Sequence, residues 1–185
     1  MPHAAWKRDL EQMGGAGALM GLGVHLIDLV RCLVGQEITG VSAMAAWTAP
    51  DSLLETFAQV SLELPGAQAH LVYGGSFPLS RNNVTVHGTS GRLTLEGVVD
   101  VVSRGELELA LLDGVGGQRL ERWAPIVPDH YQSEIEAFGE AVRSVRSGKP
   151  FAADGVDGLR AVEVASAVIA AQRSGERTAV QPSPA

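Results

Sequence analysis

The sequence has few of the residues that mark several common protein classes. Only one of its 185 residues is a cysteine, which excludes an internal disulfide. The apolar neighbours of this Cys32 predict a small buried hydrophobe rather than a reactive thiol. Aromatic residues make up 5% of the chain and charged residues 19%, which predicts an aliphatic core. The only long apolar stretch, 16–34, contains His25, Asp28 and Arg31, which are costly inside a bilayer, so it does not predict a membrane span.

The chain has fewer basic than acidic residues, which is not typical of a nucleic-acid-binding protein. Lysine and arginine number 14 against 21 aspartate and glutamate residues, a net charge of -7, and no basic stripe offsets it. This charge would repel a phosphate backbone. The first eleven residues do not match a signal peptide, and we expect a cytoplasmic protein. At 45% hydrophobic residues, the chain is expected to fold around a packed core.

Two kinds of apolar periodicity divide the chain. Spacings of three and four predict a helix from residue 18 that Gly35 ends, with an apolar face that includes Leu22 and Leu33. Gly21 and Gly23 inside it indicate either a close neighbour or a helix that begins late. Period-two runs then predict strands at 38–47, 56–64, 68–73, 83–87, 92–95, 98–103, 106–112 and 118–123. Helices are predicted at 131–142 and 156–172, and an edge strand at 177–180.

These elements predict the fold class α+β, with one large, mostly antiparallel, open β-sheet and helices packed on one face. We expect an N-terminal arm at 1–15, a single domain at 16–180 and a loose tail at 181–185. Apolar residues of the last two helices are expected to face the sheet or the core, among them Tyr131, Phe138, Leu159 and Val162.

Motif searches exclude several chemistries. The glycine-rich stretch 14–17 invites a dinucleotide interpretation, but no strand precedes it and Met20 stands where the G-x-G-x-x-G pattern needs its last glycine. No nucleophile elbow G-x-S-x-G occurs, and the five histidines show no metal-ligand spacing.

His25 is the most promising titratable residue, because it lies among apolar neighbours on the first helix. An imidazole with an ordinary pKa of about 6.5 can give or take a proton at neutral pH, and Asp28 at i+3 could orient the ring or raise that pKa. The alternative is a hydrogen-bonded core histidine. Tyr131 is likewise either a ligand contact or a packing residue.

A longer pattern resembles a known family. The run G-A-G-A-L-M-G-L-G-V-H-L-I-D-L at 15–29 resembles the start of the C-terminal domain of the Gfo/Idh/MocA oxidoreductases, which include glucose-fructose oxidoreductase and inositol dehydrogenase. The similarity continues through V-H-G-T-S-G at 86–91, Y-Q-S-E-I-E-A-F at 131–138 and D-G-L at 157–159. It covers about residues 6–180.

The resemblance implies an open sheet whose outer face forms oligomer contacts. The predicted strands 98–103 and 106–112 mix apolar and polar faces, and helices are expected on only one side of the sheet, so we predict a homodimer through the sheet. The resemblance also implies a polyhydroxylated small molecule as substrate, of the sugar or cyclitol kind. The family's histidine assists proton transfer beside the nicotinamide and the substrate hydroxyl, and this role maps onto His25. We therefore predict His25 as catalytic and Gly21, Asp28 and Tyr131 as substrate-binding residues.

Two departures from the family pattern bear on function. Gly21 stands where the family has an aspartate, and the N-terminal Rossmann domain is missing from this chain. We expect the chain to bind no cofactor alone, and NAD(P) to take part only if a separate Rossmann-domain partner supplies it. The first interpretation is therefore a substrate-binding domain that is not a competent dehydrogenase alone. The alternatives are a cofactor-independent lyase, isomerase or cyclase that uses His25 as general acid or base, and a nonenzymatic binding or oligomerisation module.

Overall fold

The computed structural model describes residues 5–47, 52–75, 77–99, 105–124, 129–144, 153–181 and 183. In chain order the elements are a short 3-10 helix Ala5–Arg8, a π-helix Leu19–Gly23, α1 Val24–Val34, β1 Gly40–Ala46, β2 Phe57–Leu64, β3 Ala67–Gly74, β4 Val84–Gly88, β5 Gly91–Glu96, β6 Glu106–Leu112, β7 Gln118–Trp123, α2 His130–Ser144, α3 Gly155–Ser174 and β8 Thr178–Ala179. The chain divides into two compact units, Met1–Phe77 with Ala152–Ala185, and Pro78–Phe151. The single domain at 16–180 stays a prediction.

The first unit contains a four-stranded antiparallel sheet in the order β3-β2-β1-β8. Pro65 and Gly66 form the turn of the β2–β3 hairpin, and Gly66 has the positive φ of 74° that such a turn favours. β8 pairs with β1 at the sheet edge, which confirms the strand predicted near the C-terminus.

One face of this sheet and the helices α1 and α3 enclose the core. Alternate residues of the strands point inward, as Val41, Val60, Leu62 and Leu71 do. The α3 residues that meet them are mostly small: Ala161, Val164, Ala165, Ala167, Val168 and Ala171. Small side chains let the α3 backbone approach β1 closely. The core is largely aliphatic, as the composition predicts.

Four apolar residues that periodicity predicts to be buried are exposed. Leu22, Leu33, Leu159 and Val162 are each at least 39% accessible, so their predicted inward orientation is wrong. The apolar faces of α1 and α3 are wider than the surface that the first sheet covers. Cys32 is also exposed, which corrects the prediction of a buried thiol.

The second unit contains a four-stranded antiparallel meander in the order β4-β5-β6-β7. The predicted connections are confirmed: Ser90 lies in the tight turn between β4 and β5, and the Asp113 carboxylate accepts hydrogen bonds from the amides of Val115 and Gly117 in the β6–β7 loop. Of the predicted strand at 98–103, residues 98 and 99 are not in a strand, and the others lie outside the described residues.

α2 carries an apolar stripe that no described residue of the second unit covers. Tyr131, Ile135, Phe138 and Val142 lie on one face at helical spacing and are between 53% and 71% exposed. The prediction that this face packs on the sheet is therefore wrong for the described part of the unit.

The fold class α+β with antiparallel pairing is confirmed, and the strands are divided between two sheets. β1 to β3, and likewise β4 to β7, pair with strands that are consecutive in the chain. The pairing of β8 with β1 instead joins the two ends of the first unit. Among the described residues, the helices are too short or too polar to cross a bilayer.

Candidate functional site

His25 lies in the first turn of α1, directly after the π-helix Leu19–Gly23. Its side chain is exposed, and it makes no hydrogen bond or ion pair with any residue that the structure describes. The alternative of a hydrogen-bonded core histidine is therefore wrong. An exposed imidazole on a helix is free to contact a bound molecule, and short π-helical segments occur often at functional sites.

The glycines before His25 have different surroundings. A Cβ at Gly23 would lie 2.8 Å from Cζ of Tyr73, so a buried ring occupies the space that a side chain would need. A Cβ at Gly21 would meet no atom of the described residues within 4 Å. The predicted close neighbour is thus found at Gly23 only, and the flank of His25 one turn earlier is open.

Asp28 takes part in an ion-pair network instead of orienting the His25 ring. Its carboxylate lies 3.2 Å from Arg31, whose guanidinium is 9% exposed and also contacts Glu37 at 2.8 Å and Asp157 at 3.4 Å. The hydrogen bond from Arg31 lowers the pKa of Glu37, and the same contact raises the pKa of Arg31. This arrangement ties α1 to the start of α3 and orients Asp28 along its own helix.

The amides of the glycine-rich stretch are hydrogen-bonded to a carboxylate of the same chain. The carboxylate of Glu55, which is 5% exposed, accepts hydrogen bonds from the amides of Gly17 at 2.6 Å and Leu19 at 2.8 Å, and the Glu55 carbonyl accepts one from Ala18 at 3.1 Å. A pyrophosphate needs such amides free at a helix N-terminus. These residues therefore do not fit NAD(P).

Tyr131 lies in the second unit, whereas Gly21, His25 and Asp28 lie in the first. Its ring is exposed and contacts the ring of His130 at 4.5 Å between centroids. The roles of His25, Gly21, Asp28 and Tyr131 stay predictions. No group of three or more metal-ligating side chains occurs in the described ranges.

The second unit has an open groove of its own. The groove lies on the polar face of the β4–β7 sheet and has a volume of about 740 Å³. Its lining includes His87, Arg92, Glu108 and Arg122. Glu108 pairs with Arg92 at 3.0 Å and with Arg122 at 2.8 Å, and these two hydrogen bonds hold its pKa below the ordinary value. The arginines are thus already paired with a neighbouring acid.

Two functional candidates escape sequence reasoning. Glu55 reaches amides 36 and 38 positions earlier in the chain, and Arg31 contacts an aspartate 126 positions later. No local sequence motif predicts either contact. The one signal in the sequence is the acidic Glu55 between an apolar pair and a predicted strand, and such a residue does not indicate which amides it will contact.

Comparison with known proteins identifies the family. The oxidoreductase family, C-terminal alpha/beta domain, matches residues 2–180. The chain belongs to the Gfo/Idh/MocA oxidoreductase family. A comparison of this Gfo/Idh/MocA domain with curated proteins finds no match.

Solved structures share the fold. Aldose-aldose oxidoreductase from Caulobacter crescentus, in complex with glycerol, matches with a TM-score of 0.78 and 22% identity over 97% of this chain and 51% of its own. Levoglucosan dehydrogenase in complex with NADH matches with a TM-score of 0.79 and 16% identity over 97% and 54%. The transcriptional regulator Gal80p from Kluyveromyces lactis matches with a TM-score of 0.75 and 18% identity over 97% and 49%. The Gfo/Idh/MocA domain thus spans about half the length of the structures it matches.

Proposed function

We propose that this chain is the substrate-binding domain of a Gfo/Idh/MocA-type oxidoreductase and that His25 exchanges a proton with a hydroxyl of a polyhydroxylated small molecule. The observation that carries the proposal is the exposed His25 imidazole, which has no partner among the described residues, beside the open flank at Gly21. A neutral imidazole could take the hydroxyl proton on one nitrogen, while a nicotinamide nucleotide held outside this chain would accept the hydride from the same carbon.

The substrate class rests on the fold relatives. One solved relative acts on aldoses and holds glycerol, and another is named for levoglucosan, so polyhydroxylated molecules recur. The nicotinamide nucleotide would come from a separate Rossmann-domain partner, since Glu55 occupies the amides of the glycine-rich stretch. We therefore expect calorimetry to detect no binding of NADH or NADPH by the chain alone, and micromolar binding of either would contradict this assignment.

The test of the substrate site is an NMR titration of the histidine rings with glucose, sorbitol and myo-inositol at millimolar concentrations. His25→Ala assigns the His25 signals, and His70→Ala serves as a matched control, because His70 is an exposed histidine on the opposite side of the first sheet. We expect at least one of these polyols to move the His25 signals and to lose affinity in His25→Ala only. No shift with any of the three, or unchanged affinity in His25→Ala, would overturn the proposal.

A nonenzymatic role is the second candidate, because the match to Gal80p shows that this fold also occurs in a transcriptional regulator. Such a binding module would take up a small molecule without needing an acid or base. Polyol binding that is retained in His25→Ala would favour this candidate. A cofactor-independent lyase, isomerase or cyclase would instead turn over substrate without a nucleotide and lose that turnover in His25→Ala.

We also propose that the chain forms a homodimer through the sheet and resides in the cytoplasm. Met44, Gln59 and Val72 form one row across the outer face of the first sheet, and Met44 is 76% exposed. The exposed apolar side chains of Met44 and Val72, which flank Gln59 in this row, are suited to a partner surface. Light scattering should give a dimer for the wild type and for Val162→Glu on α3, and a monomer for Val72→Glu. A wild-type monomer at tens of micromolar would contradict the dimer.

A further inference from the structure

Glu55 is a buried acid that the proposed proton transfer does not use. It lies just before β2, and it holds three successive amides, those of Gly17, Ala18 and Leu19, with its carboxylate and its carbonyl. Hydrogen bonds to an ionised acceptor are shorter and stronger than those between neutral groups, and a buried carboxylate requires such partners. The contact is therefore a specific clamp between the residue that precedes β2 by two positions and the segment that enters the helix.

The local sequence offers this helix no other cap. Ala18 stands at the N-cap position without a side-chain hydrogen bond, and neither the π-helix nor α1 has an acidic residue in its first turn. A helix N-terminus leaves several amides unpaired and favours a negative charge nearby. Glu55, from another part of the chain, supplies both the hydrogen-bond acceptor for these amides and the negative charge.

The same segment is anchored at its other end by Tyr73. The Tyr73 ring fills the space beside Gly23, is 4% exposed, and has no hydrogen-bond partner for its hydroxyl among the described residues. Burial and the charge of Glu55 raise the pKa of Tyr73. The π-helix is thus fixed at its start by Glu55, just before β2, and at its end by Tyr73 of β3, and His25 lies two residues after Gly23.

We infer that Glu55 is a positioning residue: by clamping the start of the π-helix it sets the orientation of the turn that carries Gly21 and His25. This inference rests on the proposed function of His25. Glu55 acts through backbone amides and does not contact the substrate. Loss of the clamp frees the Gly17 and Leu19 amides, so the π-helical turn loses its fixed start and the backbone that carries His25 loses its position.

The test compares Glu55→Gln with Glu63→Gln in the full chain. Glutamine keeps the shape of Glu55 but places an NH2 group against an amide N–H, whereas Glu63 lies in β2 and pairs with Arg177. We expect Glu55→Gln to keep the sheet resonances, to speed hydrogen exchange of the Gly17 and Leu19 amides at least tenfold, and to shift the His25 ring signals. Glu63→Gln should leave the exchange of the Gly17 and Leu19 amides and the His25 ring signals unchanged.

Outcomes separate this inference from the substrate proposal. The amide and ring signals need no ligand, so they test the clamp even if no polyol binds the wild type. If a polyol does bind, its affinity should fall about tenfold in Glu55→Gln. A folded Glu55→Gln whose His25 signals equal those of the wild type would overturn the inference. Should the variant fail to fold, hydrogen exchange in the wild type decides, because unprotected Gly17 and Leu19 amides would show that no clamp exists.

Discussion

Alanine substitutions at Gly21 and Gly23 test the packing beneath the candidate site. The glycines lie two residues apart in the same π-helix, so the same substitution is made in the same backbone setting. A Cβ at Gly23 would lie 2.8 Å from Cζ of Tyr73 and 2.9 Å from Cδ1 of Leu19, and both side chains are buried. A Cβ at Gly21 would lie more than 4 Å from every atom in the described part of the chain.

The expected magnitudes follow from two effects. Replacing a helical glycine with alanine favours the helix by up to about 1 kcal/mol, and Gly21→Ala should show this gain alone. Gly23→Ala has the same gain together with an overpacking cost of about 1–3 kcal/mol, because Tyr73 and Leu19 must move within a packed core. The helix term cancels between the variants, so Gly23→Ala should be about 1–3 kcal/mol less stable than Gly21→Ala.

Urea unfolding followed by tryptophan fluorescence measures this difference. Trp6 and Trp47 lie in the first unit and Trp123 in the second, so a Trp123→Phe background restricts the signal to the unit that carries the glycines. The slopes of the unfolding curves should agree between variants, and the midpoint should be lower for Gly23→Ala. Equal or greater stability of Gly23→Ala would refute the contact between Tyr73 and Gly23.

Three further predictions concern the first unit. Arg31→Met should lower the free energy of unfolding by about 1–2 kcal/mol, because it removes charge-assisted hydrogen bonds whose carboxylate partners are half exposed; an unchanged urea midpoint would contradict this. The hydrogen bonds from Arg160 and Ser183 lower the pKa of Glu163 to about 2, so this contact contributes fully to folding stability above the ordinary pKa of 4.5 and loses its contribution as pH falls towards 2. Protection of the Ser183 amide, followed by NMR, should vanish over this window, and its loss above pH 4.5 would contradict the contact. Gly21→Asp should keep the wild-type Tm within a few degrees, whereas Gly23→Asp should unfold the unit, and a large loss for Gly21→Asp would show that the flank of His25 is closed.

Local patterns predict elements well where the interactions that form them are also local. The β2–β3 hairpin has Pro65 and Gly66 at its turn, and α1 ends at Gly35 with a φ of 67°, the left-handed conformation that glycine adopts without strain. Both features depend on residues within a few positions of each other. The α+β class follows from the same signals, because alternation and helical spacing differ in period.

Burial was predicted less well, because periodicity shows which side of an element is apolar but not what covers it. Leu22 and Leu33 continue the apolar face of α1 beyond the area that the first sheet reaches. Phe138 belongs to an apolar stripe that the second unit leaves exposed. Ser183, in the predicted loose tail, is hydrogen-bonded to Arg160 and Glu163 of α3.

The sequence by itself determined most of the elements and the family, and it made His25 the candidate, because these depend on short-range pattern and on a motif of successive residues. Only the tertiary structure decided that His25 is exposed, that Asp28 serves the Arg31 network, and that Glu55 fills the amides of the glycine-rich stretch. Each of these outcomes depends on a contact between residues brought together by the packing of α1 and α3 on the sheet, or on which face that packing leaves free. No pattern within one segment specifies its distant partner.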